Sequence, residues 1–190
     1  VQALVKDYPM ALNDIDFIIV ATSTPDQILP SIASQVQHRL NIPYAGCMDI
    51  AAACAGFVYG IITAKGLIAT GAYRKILVIG ADTLSKVTDF SDRNSCILFG
   101  DGAGAVIVEA AEQNHIFQPL TYTDGSHGKD LYVSNLTASV NGQDIIADRN
   151  IHQNGKVVFK WAVTNLVEKI RTLAHVNHLN LQDIDYLIPH

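Results

Sequence analysis

The chain has 190 residues, of which 49% are hydrophobic and 16% are charged, so it can bury a sizeable core and is not a disordered chain. Its formal net charge of -5 argues against a general nucleic-acid binder, which needs a basic surplus to neutralise phosphates. The sequence shows no membrane-spanning apolar run, no signal-peptide pattern and no even set of cysteines, so we expect a cytoplasmic protein that does not bind membranes.

In chain order, short apolar runs alternate with helical patterns over the first part of the sequence. We predict the end of a helix in residues 1–13, and buried strands at 17–22, 46–50 and 75–81. Helices are predicted at 31–40, capped by Ser31, and at 57–70, closed by Gly71. This alternation is typical of a layered α/β fold with a largely parallel sheet, in which catalytic residues lie at the carboxyl ends of strands.

Cys54 stands at such a position, between the second predicted strand and the helix that follows it. The unpaired N–H groups and the dipole of that helix are expected to lower the pKa of the thiol and favour a thiolate nucleophile. Its small neighbours Ala53, Ala55 and Gly56 leave room for a substrate carbonyl and for an oxyanion bond from a backbone N–H. The alternative is that Cys54 is a small hydrophobe of the core, as free cysteines usually are.

The second part of the chain is less regular. The glycines of 100–104 lack the Gly-Lys-Ser/Thr ending of a phosphate loop and lead into a strand, so we predict a tight turn there. Loops and short strands are predicted over 110–150, an amphipathic helix over 157–174, and a strand over 183–188.

Five motifs in this order resemble β-ketoacyl-acyl carrier protein synthase III, the condensing enzyme that initiates bacterial fatty-acid synthesis. They are Ala52–Phe57, Thr88–Arg93, Leu98–Ala105, Asn154–Lys160 and Ile188–His190. The resemblance implies a homodimer with the thiolase-like α/β fold, an α/β/α/β/α sandwich with mixed, largely parallel sheets. It also implies that residues 1–110 are the rest of the N-terminal half, and that 111–190 are the connecting segment and the start of the C-terminal half.

By this resemblance, Cys54 takes an acetyl or short branched acyl group from acyl-CoA, and the acyl-enzyme condenses with malonyl-acyl carrier protein. His190 matches the histidine that assists decarboxylation by donating a hydrogen bond to the malonyl thioester oxygen. By itself, such a histidine would be a solvated end residue. No cofactor and no metal is implied, because acyl-CoA is a substrate.

The resemblance also assigns substrate-binding positions. The coenzyme A entrance is matched by Arg93, Gly155, Phe159 and Lys160, and the wall of the acyl pocket by Leu84, Leu98 and Phe99. For Arg93 and Lys160 the alternative is a solvated surface charge. Leu29 stands where relatives often carry a phenylalanine that caps the partner's acyl pocket, so we expect tolerance of branched or longer primers. Docking of the acidic carrier protein is predicted at Lys156, Lys160, Lys169 and Arg171.

Two parts of the family pattern have no counterpart before the chain stops at His190: the catalytic asparagine and the glycine-rich oxyanion segment. We therefore expect the central portion of a synthase, inactive or unstable by itself because sheet edges and apolar surface are exposed. Two alternatives stay open. One is a non-catalytic interaction module of the thiolase fold, and the other is a related coenzyme A-dependent condensing enzyme of secondary metabolism.

Overall fold

The apolar run that begins at Phe17 lies inside a four-stranded sheet in a computed structural model, which describes residues 1–7 and 12–190. This sheet and its helices form a compact unit of residues 1–83 and 101–116, here called the sheet unit. Its elements are α1 (Gln2–Asp7), β1 (Phe17–Ala21), α2 (Ile32–Arg39), β2 (Gly46–Ile50), α3 (Gly56–Ala69), β3 (Lys75–Thr83) and β4 (Asp101–Glu109).

The strands of the sheet lie in the order β2-β1-β3-β4. β1 is parallel to both β2 and β3, whereas β4 is antiparallel to β3. The carboxyl ends of β2, β1 and β3 therefore meet at one edge of the sheet, and the segment after β2 carries Cys54. The predicted mixed, largely parallel α/β architecture is confirmed.

Both faces of the sheet are apolar, and each face packs against a different helix. Ile18 and Val20 of β1 belong to the core cluster that includes Ala33 of α2. Ile19 of β1 belongs instead to the cluster that includes Ala64 of α3. Because side chains alternate between the faces of a strand, one continuous apolar run supplies both layers.

A second compact unit, here called the α4 unit, comprises residues 84–100 and 117–190. Its elements are β5 (Leu131–Val133), β6 (Ser139–Val140), β7 (Gln143–Asp144), β8 (Ile151–Gln153) and α4 (Gly155–Val176). β5 pairs with β8 and β6 pairs with β7, both antiparallel. The boundary predicted at residue 110 refers to the repeated halves of the family fold, and it stays a prediction.

Most of the predicted elements are confirmed within two residues of their bounds, including the long helix α4 and the short strands of 110–150. Ser31 caps α2 by accepting a hydrogen bond from the N–H of Ser34, at 3.2 Å. Gly71, with φ of 75°, follows α3. The helix predicted in residues 1–13 is observed at 2–7, and residues 8–11 lie outside the described residues.

Two predictions were wrong. Gly102 and Gly104 do not form a tight turn, because they lie inside β4 and pair with Asp82 and Gly80 of β3. The ladder of β3 and β4 satisfies the backbone groups of this segment, which a turn would leave unpaired. The strand predicted at 183–188 is also absent: a 3-10 turn at Leu181–Asp183 is followed by extended backbone that no described strand pairs with.

Candidate active site

Cys54 lies in a short 3-10 turn, Ala53–Ala55, between the end of β2 and the start of α3. Cys54 is exposed in this chain and belongs to neither core cluster of the sheet unit, which disagrees with the alternative of a core cysteine. No side chain of the described residues caps the N-terminus of α3, so its first N–H groups have no side-chain acceptor. The N–H of Gly56 donates to the carbonyl oxygen of Ala53, and the remaining donors and the helix dipole favour negative charge at this point, such as that of an oxyanion.

The backbone before Cys54 turns sharply at Ala53. Ala53 has φ of 45°, in the left-handed region that residues other than glycine seldom occupy. This conformation costs an L-residue about 1–2 kcal/mol. The left-handed conformation of Ala53 redirects the chain from β2 into α3 within a few residues and leaves the thiol accessible. Such conformations cluster at active sites.

This geometry gives a prediction for Ala53. Ala53→Gly is expected to change the free energy of unfolding by less than about 1 kcal/mol, because relief of the left-handed strain is offset by chain entropy. Ala53→Val is expected to destabilise by about 2 kcal/mol, because a β-branched residue strongly disfavours this φ. Acylation of Cys54, followed by mass spectrometry, should persist in the glycine variant and slow at least about tenfold in the valine variant. Equal rates in the two variants would contradict a positioning role for this turn.

A hydrogen-bond network joins the carboxyl ends of β1 and β3 near the same edge. Oδ1 of Asp82 accepts from the N–H of Ser23 at 2.7 Å, from Oγ1 of Thr24 at 2.9 Å and from Oγ1 of Thr22 at 3.3 Å. Oγ1 of Thr24 in turn accepts from the N–H of Thr83 at 2.8 Å. The start of the loop after β1 is therefore tied to β3.

The other end of this loop is tied to β2 by Asp49. Its two carboxylate oxygens accept from the first N–H groups of α2, those of Ile32 at 2.7 Å and Ala33 at 2.8 Å. The loop between the two ties carries Leu29, of which 82% is exposed, beside the exposed Ile28. Leu29 is thus presented outward by a loop that two carboxylates hold.

In the α4 unit, Arg93 is exposed on a loop that two aspartates organise. Oδ1 of Asp89 accepts from the N–H of Ser91 at 2.8 Å, and Oδ1 of Asp92 accepts from the N–H of Asn94 at 3.0 Å. The hydroxyl of the buried Ser95 donates to Oδ2 of Asp92. Hydrogen bonds from the serines are the main cause that lowers the pKa of both aspartates. The turns on either side of Arg93 are therefore fixed, and its side chain is exposed.

The remaining predicted coenzyme A residues lie at the start of α4. Gly155 is its first residue, and Phe159 and Lys160 follow on the next turn, both exposed. Leu84 and Phe99 are half-buried at the two ends of the Arg93 loop, and Leu98 beside Phe99 is exposed. A backbone hydrogen bond of 2.6 Å from Ile151 of β8 to Val87 joins the Arg93 loop to the strand that precedes α4. The structure thus places these residues in one unit.

Cys54 and Leu29 belong to the sheet unit, whereas the other predicted site residues, including the exposed His190, belong to the α4 unit. Of the predicted docking lysines, Lys169 lies with its Nζ 4.9 Å from the ring centre of Tyr122, which stacks on Trp161. Its ammonium group is therefore engaged by an aromatic ring. Lys156, Lys160 and Arg171 are exposed on α4.

Sequence reasoning missed the roles of Asp82, Asp49 and the backbone of Ala53. A signal was present for Asp82, because hydroxyl residues follow β1 and this aspartate is the second-last residue of β3, at the same edge of the sheet. A cavity of about 650 Å³ lies elsewhere, between the second half of α3, the end of β4 and residues 111–116. None of the predicted site residues lines it.

Within the described part of the chain, no cluster of three or more His, Cys, Asp or Glu side chains is arranged to hold a metal ion. A search of the described helices likewise finds none that is long and apolar enough to span a membrane.

The layered α/β sheet, with an exposed cysteine in the turn before α3, defines the fold of the chain as thiolase-like. Residues 48–125 match the family described as 3-oxoacyl-[acyl-carrier-protein (ACP)] synthase III. In sequence and in fold the chain is similar to β-ketoacyl-[acyl-carrier-protein] synthase III, which confirms the resemblance stated from its motifs.

The similarity extends along the whole chain. It is 44% identical to β-ketoacyl-[acyl-carrier-protein] synthase III 2 of Halalkalibacterium halodurans, over 100% of this chain and 58% of the relative. The protein of the same name from Bacillus anthracis is 43% identical over the same shares. The crystal structure of the Thermus thermophilus synthase III superposes with a TM-score of 0.90 at 33% identity, covering 96% of this chain and 57% of that one. The chain therefore spans about 58% of the length of the curated relatives that it matches.

Proposed function

We propose that this chain carries the nucleophile of an acyltransferase that starts fatty-acid synthesis, a β-ketoacyl-acyl carrier protein synthase III. The observation that supports this most directly is the exposed Cys54 at the uncapped start of α3. The Cys54 thiolate attacks the carbonyl carbon of an acyl-CoA thioester, and the negative oxygen of the tetrahedral intermediate is stabilised by N–H groups at the helix start. The intermediate collapses, the coenzyme A thiolate leaves, and the acyl group stays on Cys54.

The second half-reaction extends the acyl group by two carbons. Malonyl-acyl carrier protein loses carbon dioxide, and the resulting carbanion attacks the acyl thioester on Cys54, which releases the β-ketoacyl product and the free thiolate. His190 is proposed to donate a hydrogen bond to the malonyl thioester oxygen as enolate charge develops there. A neutral imidazole suffices for this role, and no cofactor or metal is required.

For coenzyme A, the exposed Arg93 and Lys160 are proposed to pair with phosphate oxygens, and Gly155 and Phe159 to line the entrance between them. The acyl chain is proposed to lie against Leu84, Leu98 and Phe99. The protein is proposed to act in the cytoplasm as a homodimer. In that dimer the exposed Leu29 caps the partner's acyl pocket, and because leucine is smaller than phenylalanine, short branched primers are accepted.

The acidic carrier protein is proposed to dock on the basic residues of α4, mainly Lys156, Lys160 and Arg171, since Lys169 lies against Tyr122. The two alternatives, a non-catalytic module and a condensing enzyme of secondary metabolism, have less support. The curated relatives that match along the whole chain at 43–44% identity carry the synthase III name, whereas the priming β-ketosynthase of the R1128 polyketide pathway is 29% identical, and Cys54 is exposed in this chain.

The test is intact mass spectrometry of the chain after exposure to acetyl-CoA. We expect one acetyl adduct, its complete loss in Cys54→Ala, and its retention in the matched controls Cys47→Ala and Cys96→Ala, which replace the two half-buried cysteines. If the chain by itself takes up no acetyl group, the same series is repeated on the full-length gene product. An adduct that survives Cys54→Ala, or no adduct on the full-length product, would refute the assignment.

A further inference from the structure

The chain passes from β8 into α4 at Asn154, the residue before Gly155. Asparagine is among the preferred residues at such a position, because its side-chain oxygen can accept from a free N–H of the first helical turn. The side chain of Asn154 makes no such bond. It turns back instead, and its Nδ2 donates to Oδ1 of Asp130 at 3.2 Å. Asn154 therefore joins the start of α4 to an earlier segment of the chain.

A second hydrogen bond joins the same two residues through the backbone. The N–H of Asn154 donates to the carbonyl oxygen of Asp130 at 2.8 Å. This bond extends the ladder of β5 and β8 by one position beyond the pair formed by Leu131 and Gln153. Two bonds between one pair of residues restrict both the distance and the rotation between their segments. The two bonds together are here called the Asn154 tie.

Asp130 is itself held by a further contact. Its Oδ2 lies 2.8 Å from Nδ1 of His127, within the same 3-10 turn, Gly125–Asp130. This turn is capped by Asp124, whose Oδ1 accepts from the N–H of Ser126 at 3.1 Å. The side chain of Asp130 is only 15% exposed, so most of it is shielded from solvent. The acceptor of the Asn154 tie therefore has a fixed position.

The residues next to the Asn154 tie are those to which coenzyme A binding has been assigned. Gly155 follows Asn154 directly, and Phe159 and Lys160 lie on the next turn, both exposed. A Cβ built on Gly155 would meet no atom of the described residues within 4 Å, apart from its chain neighbours and the adjacent backbone of α4. In the α4 unit, the surface beside Gly155 is therefore open, and its position depends on how this end of the helix is held.

We propose that Asn154 and Asp130 are positioning residues for coenzyme A, which hold the start of α4 against the 3-10 turn Gly125–Asp130 through their two hydrogen bonds. This inference rests on the proposed function, since it concerns the same coenzyme A entrance. Neither side chain touches the ligand in this role. They act through Gly155, Phe159 and Lys160, which move with the first turns of α4. Because the tie orders these groups before the ligand arrives, binding carries a smaller entropy cost.

The experiment measures the dissociation constant of coenzyme A by titration calorimetry on the full-length gene product. Asn154→Ala removes the side-chain donor and Asp130→Ala removes the side-chain acceptor, while both keep the backbone bond. We expect each variant to bind coenzyme A about fivefold more weakly, the size of effect that one lost hydrogen bond produces. Because both substitutions remove the same bond, the double variant should also lose about fivefold and not about 25-fold.

Two further variants separate positioning from charge and from helix stability. Asp130→Asn keeps an oxygen for Nδ2 of Asn154, so it should bind coenzyme A within about twofold of the unmodified protein. Loss of a negative charge would by itself favour the phosphates, so weaker binding by Asp130→Ala reports geometry.

Asn177→Ala is the matched control, because Asn177 holds the opposite end of α4 in a similar way. Its Nδ2 donates to the carbonyl oxygens of Gln118 and Leu173, each at 2.9 Å. We expect this variant to lower the midpoint of urea unfolding at least as much as Asn154→Ala does, because it loses more hydrogen bonds. The dissociation constant of coenzyme A should stay unchanged.

Unchanged affinity in Asn154→Ala and Asp130→Ala would overturn the inference and leave the proposed function intact. Losses that multiply in the double variant would also overturn it, because the two residues would then act independently. The same holds for an equal loss in Asn177→Ala, or for a loss in Asp130→Asn as large as in Asp130→Ala. If the unmodified full-length protein binds no coenzyme A, the proposed function itself fails, and that failure is recognised before any substitution is made.

Discussion

Gly60→Ala is expected to lower the free energy of unfolding by about 2 kcal/mol, although alanine is the better helix former. Gly60 lies in the middle of α3 and is buried against the sheet. A Cβ at this position would lie 2.8 Å from Cγ1 of Val78 and 3.6 Å from Cγ2 of Ile19. Both neighbours are fully buried in the core, so neither has space into which it can move. Either α3 moves away from the sheet or the core becomes strained.

Gly66→Ala is the matched control in the same helix, because among the described residues only its chain neighbours and the adjacent backbone of α3 can lie within 4 Å of its added Cβ. We expect it to raise the free energy of unfolding by about 0.5–1 kcal/mol through helix propensity alone. Urea unfolding gives both values. Val78→Ala removes the atom that Gly60→Ala meets, so the cost of Gly60→Ala should be smaller in that background. Equal stability changes for Gly60→Ala and Gly66→Ala would show that close approach of α3 to the sheet is not what requires glycine.

Asp82→Ala is expected to destabilise the sheet unit by about 2–3 kcal/mol. The substitution removes one acceptor that serves the N–H of Ser23 and the hydroxyls of Thr22 and Thr24, at the partly buried ends of β1 and β3. Hydrogen bonds to a charged group contribute about 1.5–3 kcal/mol, and unpaired donors at such a site carry a desolvation cost. The effect reaches further along the chain, because the same residues begin the loop that presents Leu29.

Asp82→Asn separates the charge of this residue from its geometry. Asparagine keeps a carbonyl oxygen for Ser23 and Thr24, so we expect about half of the loss seen with alanine. Chemical denaturation measures stability, and limited proteolysis of residues 22–31 reports whether the loop has loosened. A loss below about 0.5 kcal/mol for Asp82→Ala, within the range of ordinary surface changes, would contradict a structural role for the network.

The elements of the sheet unit could be predicted because local sequence and tertiary environment agree there. The run from Phe17 is apolar at successive positions, and the structure uses this by packing α2 on one face of the strand and α3 on the other. The prediction for Gly102 and Gly104 was wrong because their local sequence favours a turn, whereas the residues that they pair with lie 20 and 24 positions earlier, on β3. At 183–188 the sequence has the composition of a strand, but a strand also requires a neighbouring strand to bond.

The candidate site also contains one feature that could be predicted from the sequence and others that could not. Cys54 was predictable because its position between a strand and a helix is a local feature, and its exposure agrees with that prediction. The bonds of Asp82 join residues nearly sixty positions apart, and no sequence pattern of short range records them. The left-handed backbone of Ala53 was not predictable either, since alanine gives no signal for that conformation.

The loop that presents Leu29 has a further consequence for association. Asp82 holds its start and Asp49 holds the helix at its end, so the loop loses its conformational freedom when the sheet unit folds. A flexible loop would lose that freedom only on contact with another surface, and the affinity would be reduced by the entropy of ordering. A surface that receives Ile28 and Leu29 meets side chains on a backbone that is already ordered. Burial of these two side chains therefore carries no further entropy cost for ordering the backbone of the loop.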